Sequence, residues 1–207
     1  MRIGSQGPGG RAGAVCAAMA WLWLGTGPAL PQGLSGALVT DAIVADIRAH
    51  LDTEIVLRSV ANQNRARSGI SPAEVERLDT QWRAELKSPA KPLIAATLAN
   101  PLSNYLTRLQ AHSLGLYCEI IVMDAYGLNV AQSNITSDYW QGDEAKWQRT
   151  YSVGPGTVFI DDAEWNDESK TWRAQVNLTI ESPGEGVIGA ATFEINLTEL
   201  QRRERAQ

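Results

Sequence analysis

Apolar positions in the first half of the chain recur with helical spacing, and those in the second half alternate with the spacing of strands. Val39, Ile43, Ile47, Leu51 and Ile55 fall every four residues and line one face of a helix predicted over about residues 38–62. Ser71-Pro-Ala-Glu74 has the form of a capping box: Ser71 caps, Pro72 occupies the first helical position and Glu74 reaches back. Val75, Leu78, Trp82 and Leu86 continue as the buried stripe of that helix, which Lys87-Ser-Pro-Ala-Lys-Pro92 stops. A short apolar turn or helix over Leu93 to Leu98 precedes Asn100-Pro101, and Leu102, Tyr105, Leu106 and Leu109 mark a last helix that closes near Gly115.

From there the period changes. Glu119 to Asp124 and Leu128 to Ser133 flank the turn Asp124-Ala-Tyr-Gly127 and predict a β-hairpin. Ser137 to Tyr151 forms a tryptophan-rich crossover, broken at Gly142, with Asp143 placed to cap a short helix. Three further β-like runs follow at Thr157–Asp161, Thr171–Glu181 and Val187–Leu197, the last two joined by the turn-rich Ser182-Pro-Gly-Glu-Gly186. The class is α+β: a long N-terminal helix and shorter helices (residues 38–115) packed on a single antiparallel sheet (residues 116–200).

The first 29 residues read as something other than fold. Arg2 and Arg11 carry positive charge, Ala12 to Leu24 is apolar but short for a bilayer, and Gly27-Pro-Ala29 puts small residues where a signal peptidase cuts. A secretory signal peptide over 1–29 is expected, with Gly33 as the alternative end, leaving one domain over 30–207 with no second apolar span. Val15 stands before Cys16, which argues against a lipoprotein site. Of 18 basic and 23 acidic residues, two basic ones leave with the leader, so the mature charge is −7. That balance disfavours nucleic acid and anionic membrane surfaces as partners. A periplasmic or secreted bacterial product is expected.

Cys118 is then the sole cysteine, which rules out an intrachain disulfide and reads as a small buried hydrophobe. His50 and His112 lie far apart on helices, so no zinc or copper ligand set assembles and no metal or cofactor is expected. The sequons at Asn134, Asn177 and Asn196 read as Thr-rich β-sequence rather than glycosylation sites.

Three segments carry a family resemblance: Ile121-Val-Met-Asp-Ala-Tyr-Gly-Leu-Asn-Val130, Asp143-Glu-Ala-Lys-Trp147, and Gly186-Val-Ile-Gly-Ala-Ala-Thr-Phe-Glu-Ile195. With the order of elements, they resemble the PAS-like extracytoplasmic sensor domains called Cache or PDC domains, over roughly residues 38–200. The resemblance implies a small-molecule pocket between the crossover and the sheet, with Thr157–Asp161 and Trp172–Asn177 as floor. It also implies a role in signal transduction. Family members usually sit in histidine kinases, chemoreceptors or cyclic-dinucleotide enzymes, whereas here a polar tail follows the sheet, so output is expected through a separate membrane receptor, kinase or transporter. Amino-acid-binding members favour an Arg two positions before the crossover Trp and a Tyr after it; Ala145-Lys146-Trp147-Gln148 breaks that pattern.

The candidate ligand-binding residues are Tyr139, Trp140, Lys146, Trp147, Arg149, Tyr151, Asp161 and Gln175. Aromatic walls with a few fixed charges suit a small organic acid or amine: Lys146 or Arg149 would hold a carboxylate, Asp161 an amine. Aromatics at this density equally build core. The acidic run Asp161 to Ser169 lacks the ligand spacing of a calcium loop and reads as a solvated hairpin tip. Two alternatives stand beside the sensor. One is an assembly subunit that uses its aromatic patch for protein contact. The other is a hydrolase or lyase pairing Asp161 with Glu119 or Glu164, although no serine elbow, P-loop or dinucleotide fingerprint accompanies them.

Overall fold

The computed structural model describes residues 38–206, so the expected signal peptide and its cleavage site lie outside the described residues. The helices are α1 (Asp41–Leu51), α2 (Glu54–Ala66), α3 (Pro72–Leu86), α4 (Pro92–Leu98), α5 (Pro101–His112), α6 (Ala145–Gln148) and α7 (Leu197–Glu204). The strands are β1 (Tyr117–Met123), β2 (Asn129–Gln132), β3 (Val158–Ile160), β4 (Glu164–Asn166), β5 (Thr171–Ser182) and β6 (Gly186–Asn196). They form one antiparallel sheet in the order β2-β1-β6-β5-β3, with β4 also paired to β5.

The N-terminal helix is interrupted where one continuous run over 38–62 was expected. Thr53 takes an extended conformation as the N-cap of α2, and its Oγ1 donates to the His50 carbonyl at 2.8 Å. The apolar stripe shifts by one residue at the break: Ile47 and Leu51 before it and Val56 and Val60 after it enter the main core, while Ile55, expected on the stripe, is only partly buried. At α3, the Ser71 hydroxyl accepts from the Glu74 N–H at 3.2 Å, as the capping box requires, while the Glu74 carboxylate turns to Arg77 instead of reaching back. Lys91 is the N-cap of α4, but its side chain makes no cap; the buried Glu85 carboxylate accepts from the Leu93 and Ile94 N–H groups at 2.8 and 3.0 Å and replaces it. The C-terminal segment, expected as a polar tail, is α7: Asn196 accepts from the Glu199 N–H at 3.0 Å, and Leu197 and Leu200 pack into the core.

The register assigns the two faces of the sheet. Ile120, Phe193 and Val176 stand opposite one another across β1, β6 and β5, as do Val122, Ala191 and Leu178. Both rows join Val56, Val60, Leu102 and Leu106 in the main core, so α2 and α5 cover this face. A second cluster lies beside the hairpin. Trp82 stacks on Tyr139 with ring centroids 5.4 Å apart, and Leu78, Ile94 and Leu128 close around them. None of the helices among the described residues is long and apolar enough to cross a membrane.

Candidate functional site

The other face of the sheet carries a different chemistry. Directly opposed residues of an antiparallel ladder share a face, which gives three rows across β1, β6 and β5: Met123–Ala190–Thr179, Ile121–Thr192–Asn177, and Glu119–Glu194–Gln175. The rows run from apolar at Met123 to acidic at Glu119. Phe159 of β3 extends the middle row beyond Asn177, and Gln132 of β2 stands opposite Ile121.

The crossover covers this face. The Trp147 and Tyr151 rings stack at 4.8 Å and pack on Ile121, Met123 and Ala190. The Trp147 indole N–H donates to the Asp124 carbonyl at 3.2 Å, tying the lid to the hairpin turn. That turn is itself fixed, because Asp124 Oδ1 accepts from the Tyr126 and Leu128 N–H groups at 2.8 and 2.9 Å. Glu144, not Asp143, is the N-cap of α6, and its side chain makes no capping bond. It pairs instead with Lys146 Nζ at 2.9 Å, and Lys146 donates to Gln141 Oε1 at 3.0 Å.

Beneath the lid the polar groups of the middle row satisfy each other. Thr192 Oγ1 donates to Asn177 Oδ1 at 2.7 Å, and Asn177 Nδ2 to the Phe159 carbonyl at 3.1 Å. The acidic row is less settled. Arg173 bonds Glu194 at 2.8 Å, whereas no group among the described residues donates to Glu119. Burial, reinforced by the neighbouring Glu194 charge, pushes the Glu119 carboxyl up to about 7. On β2, Asn129 Nδ2 donates to Gln132 Oε1, Thr136 Oγ1 and the Asp138 carbonyl at 2.9 to 3.1 Å, but the fully buried Gln132 Nε2 has no acceptor.

The expected site residues divide. Trp147, Tyr151 and Lys146 lie in the lid; Arg149 is exposed, its guanidinium 3.7 Å from the centroid of the Phe159 ring. Asp161 and Gln175 come together with Asp162, Glu164, Arg173 and Glu194 around a hollow of about 70 Å³. Tyr139 is placed elsewhere, in the second core cluster on Trp82, because Asp79 Oδ1 accepts from the Tyr139 and Trp140 N–H groups and draws this end of the crossover to α3. Trp140 lines a groove of about 490 Å³ with Ile70, Val75, Asp79, Tyr126 and Asp143. The aromatic residues therefore form neither one flat exposed patch nor one closed cavity.

Asn177 falls within the expected floor, whereas Glu119, Thr192, Glu194 and Gln132 were not read as pocket residues. The period-2 alternation of β6 could have found two of them, since Thr192 and Glu194 alternate with the core residues Ala191, Phe193 and Ile195. Cys118 is half-buried and its thiol is pushed up to about 11 by burial. No three His, Cys, Asp or Glu side chains among the described residues converge as a metal site.

No family model matches the chain, and no curated protein matches it. Among solved structures it is similar to the ligand-binding domain of an amino-acid chemoreceptor from Pseudomonas aeruginosa in complex with GABA, at 15% identity over 72% of this chain and 61% of that one, with a TM-score of 0.36. It is similar also to a Campylobacter jejuni chemoreceptor ligand-binding domain in complex with 4-methylisoleucine, at 15% identity over 74% of this chain and 65% of that one (TM-score 0.38). The sensor domain of the Vibrio cholerae histidine kinase DctB follows, at 14% identity over 78% and 58% of the two chains (TM-score 0.36). The chain spans roughly six-tenths of the length of these three. All three are sensor or ligand-binding domains. Superposition this loose assigns no ligand to this chain.

Proposed function

We propose that this protein is an exported, non-enzymatic sensor domain that binds a small organic molecule between the crossover and the sheet, and acts through a separate receptor, kinase or transporter. The observation that carries the reading is the contrast between the two sheet faces. One is filled by α2 and α5 with a continuous apolar core; the other bears the buried polar residues Asn177, Thr179 and Thr192 and a half-buried acidic row, with a single helical turn and two stacked aromatic rings packed on its apolar end. A face that existed only for stability would be apolar throughout, because buried polar groups contribute little net stability even when bonded. Polar rows under an aromatic lid match what a small-molecule site needs. Lys146, Trp147, Arg149, Tyr151, Asp161 and Gln175 remain the expected contacts, joined by Glu119, Glu194 and Gln132.

The test is a thermal-shift screen of the purified protein against carboxylates, amino acids, amines, purines and divalent ions. A ligand at a hundredfold excess over its dissociation constant adds about 2.7 kcal/mol of stability. The expected result is a shift that Trp147→Ala abolishes while the variant stays folded. A panel without any shift would move the reading toward partner capture.

A further inference from the structure

Glu119 and Glu194 face each other directly across the β1–β6 ladder. Like charges in that relation repel, and one of the two is already answered: Arg173 of β5 holds Glu194 at 2.8 Å. Among the described residues Glu119 has no such partner. Lys146, the lid cation whose charge acts on Glu119, is engaged by Glu144 and Gln141 at 2.9 and 3.0 Å. The hollow that adjoins Glu194 adds Asp161, Asp162 and Glu164 against the single Arg173. The surroundings of Glu194 therefore hold excess negative charge. Independently, Gln132 stands opposite Ile121 on that face, fully buried; its Nε2 donor and the Oδ1 acceptor of the neighbouring Asn129 have no partner among the described residues.

An unpaired carboxylate on β1 and an unpaired amide donor on the adjacent β2, on one face of the sheet, define complementary ligand chemistry: a cation for the first, an oxygen acceptor for the second. A dicarboxylate would meet Glu119 and Glu194 with like charge, and the lid cations Lys146 and Arg149 are committed or exposed.

Resting on the reading that the ligand lies between crossover and sheet, we propose that this site takes a small primary amine. Its ammonium is received by Glu119 beside Glu194, and its hydroxyl or carbonyl oxygen accepts from Gln132 Nε2. The groups that face Glu119 are Glu194 of β6, Arg173 of β5, Lys146 of α6 and Asp138 of the crossover. Because the Glu119 carboxyl titrates near neutrality, amine affinity rises as pH increases through that range, while the amine itself stays protonated.

The probes are ethanolamine and 1,4-diaminobutane, with succinate as the anionic counterpart, titrated calorimetrically into the purified protein at about pH 6 and about pH 8. The expected result is amine binding that strengthens with pH and falls at least about tenfold in Glu119→Gln, a near-isosteric change, with no succinate binding. Succinate binding without amine binding overturns the proposal and leaves the ligand site in place. Amine binding that is indifferent to Glu119→Gln and to pH overturns the role of Glu119. Silence of every compound, amines and anions alike, overturns both the amine assignment and the ligand site.

Discussion

Asp79 on α3 accepts a hydrogen bond at 2.9 Å from the backbone N–H of Tyr139, sixty residues further along the chain. The same oxygen accepts from the Trp140 N–H at 3.1 Å, and the second carboxylate oxygen pairs with Arg83 at 2.6 Å. One buried carboxylate thus fastens the start of the crossover to the helical half.

Asp79→Ala should accordingly cost about 2–4 kcal/mol, because two backbone donors lose a charged acceptor that water does not readily replace. Urea unfolding measures this directly. Asp79→Asn, which keeps one acceptor, should lose less. Equal stability of wild type and Asp79→Ala would mean that the crossover is held by Trp82 and Tyr139 alone.

The tryptophan that anchors the start of the crossover and the one within it should respond differently. Trp82 is fully buried, stacked on Tyr139, and its indole N–H donates to the Thr136 carbonyl at 2.9 Å. Trp82→Ala should cost about 3–5 kcal/mol. Trp147 is only half-buried and packs on three residues of the sheet face. Trp147→Ala should cost about 1–2 kcal/mol and should instead remove ligand-induced stabilisation. A loss at Trp147 as large as that at Trp82 would make the lid part of the core.

How far these roles were legible in the sequence depends on the local signal. The strands were readable because alternation and turn residues agree: Gly127 and Gly186, both at positive φ, stand where the turns require them. The break at Thr53 was not readable, since Leu51 and Ile55 keep helical spacing across it. α7 was hidden because Leu197 reads equally well as the end of a strand. Tyr139 and Trp147 looked alike as two aromatics of one cluster. Their separation depends on Asp79 and on the Leu128–Trp140 bridge, which are contacts over long sequence distances that no local pattern encodes.

The hairpin turn offers a test of close approach. Gly127 has φ +78°, and a Cβ there would lie 2.6 Å from the Gly142 Cα, a backbone atom that cannot swing aside. Gly127→Ala combines left-handed strain with this clash and should cost more than about 2 kcal/mol. Gly184→Ala is the control: φ is +84°, yet nothing lies within 4 Å of the added carbon. It should cost only about 1 kcal/mol. Equal losses would show that conformation alone, without the crossover contact, sets the cost at Gly127.

Glu119 makes a prediction about stability that needs no ligand. Burial raises its carboxyl to about 7, above the ordinary value of 4.5, so between these two pH values the folded chain holds a proton that the unfolded chain has released. Stability must then fall as pH rises through this window, by at most about 3 kcal/mol from this group. Glu119→Gln removes the titration. It should match wild type at about pH 4 and exceed it at about pH 8, as read from urea midpoints. A wild type that gains stability over this window relative to Glu119→Gln would require the ionised carboxylate to have a partner in the folded chain. Saturating ethanolamine should produce that gain, because a bound ammonium supplies the partner that the fold itself withholds.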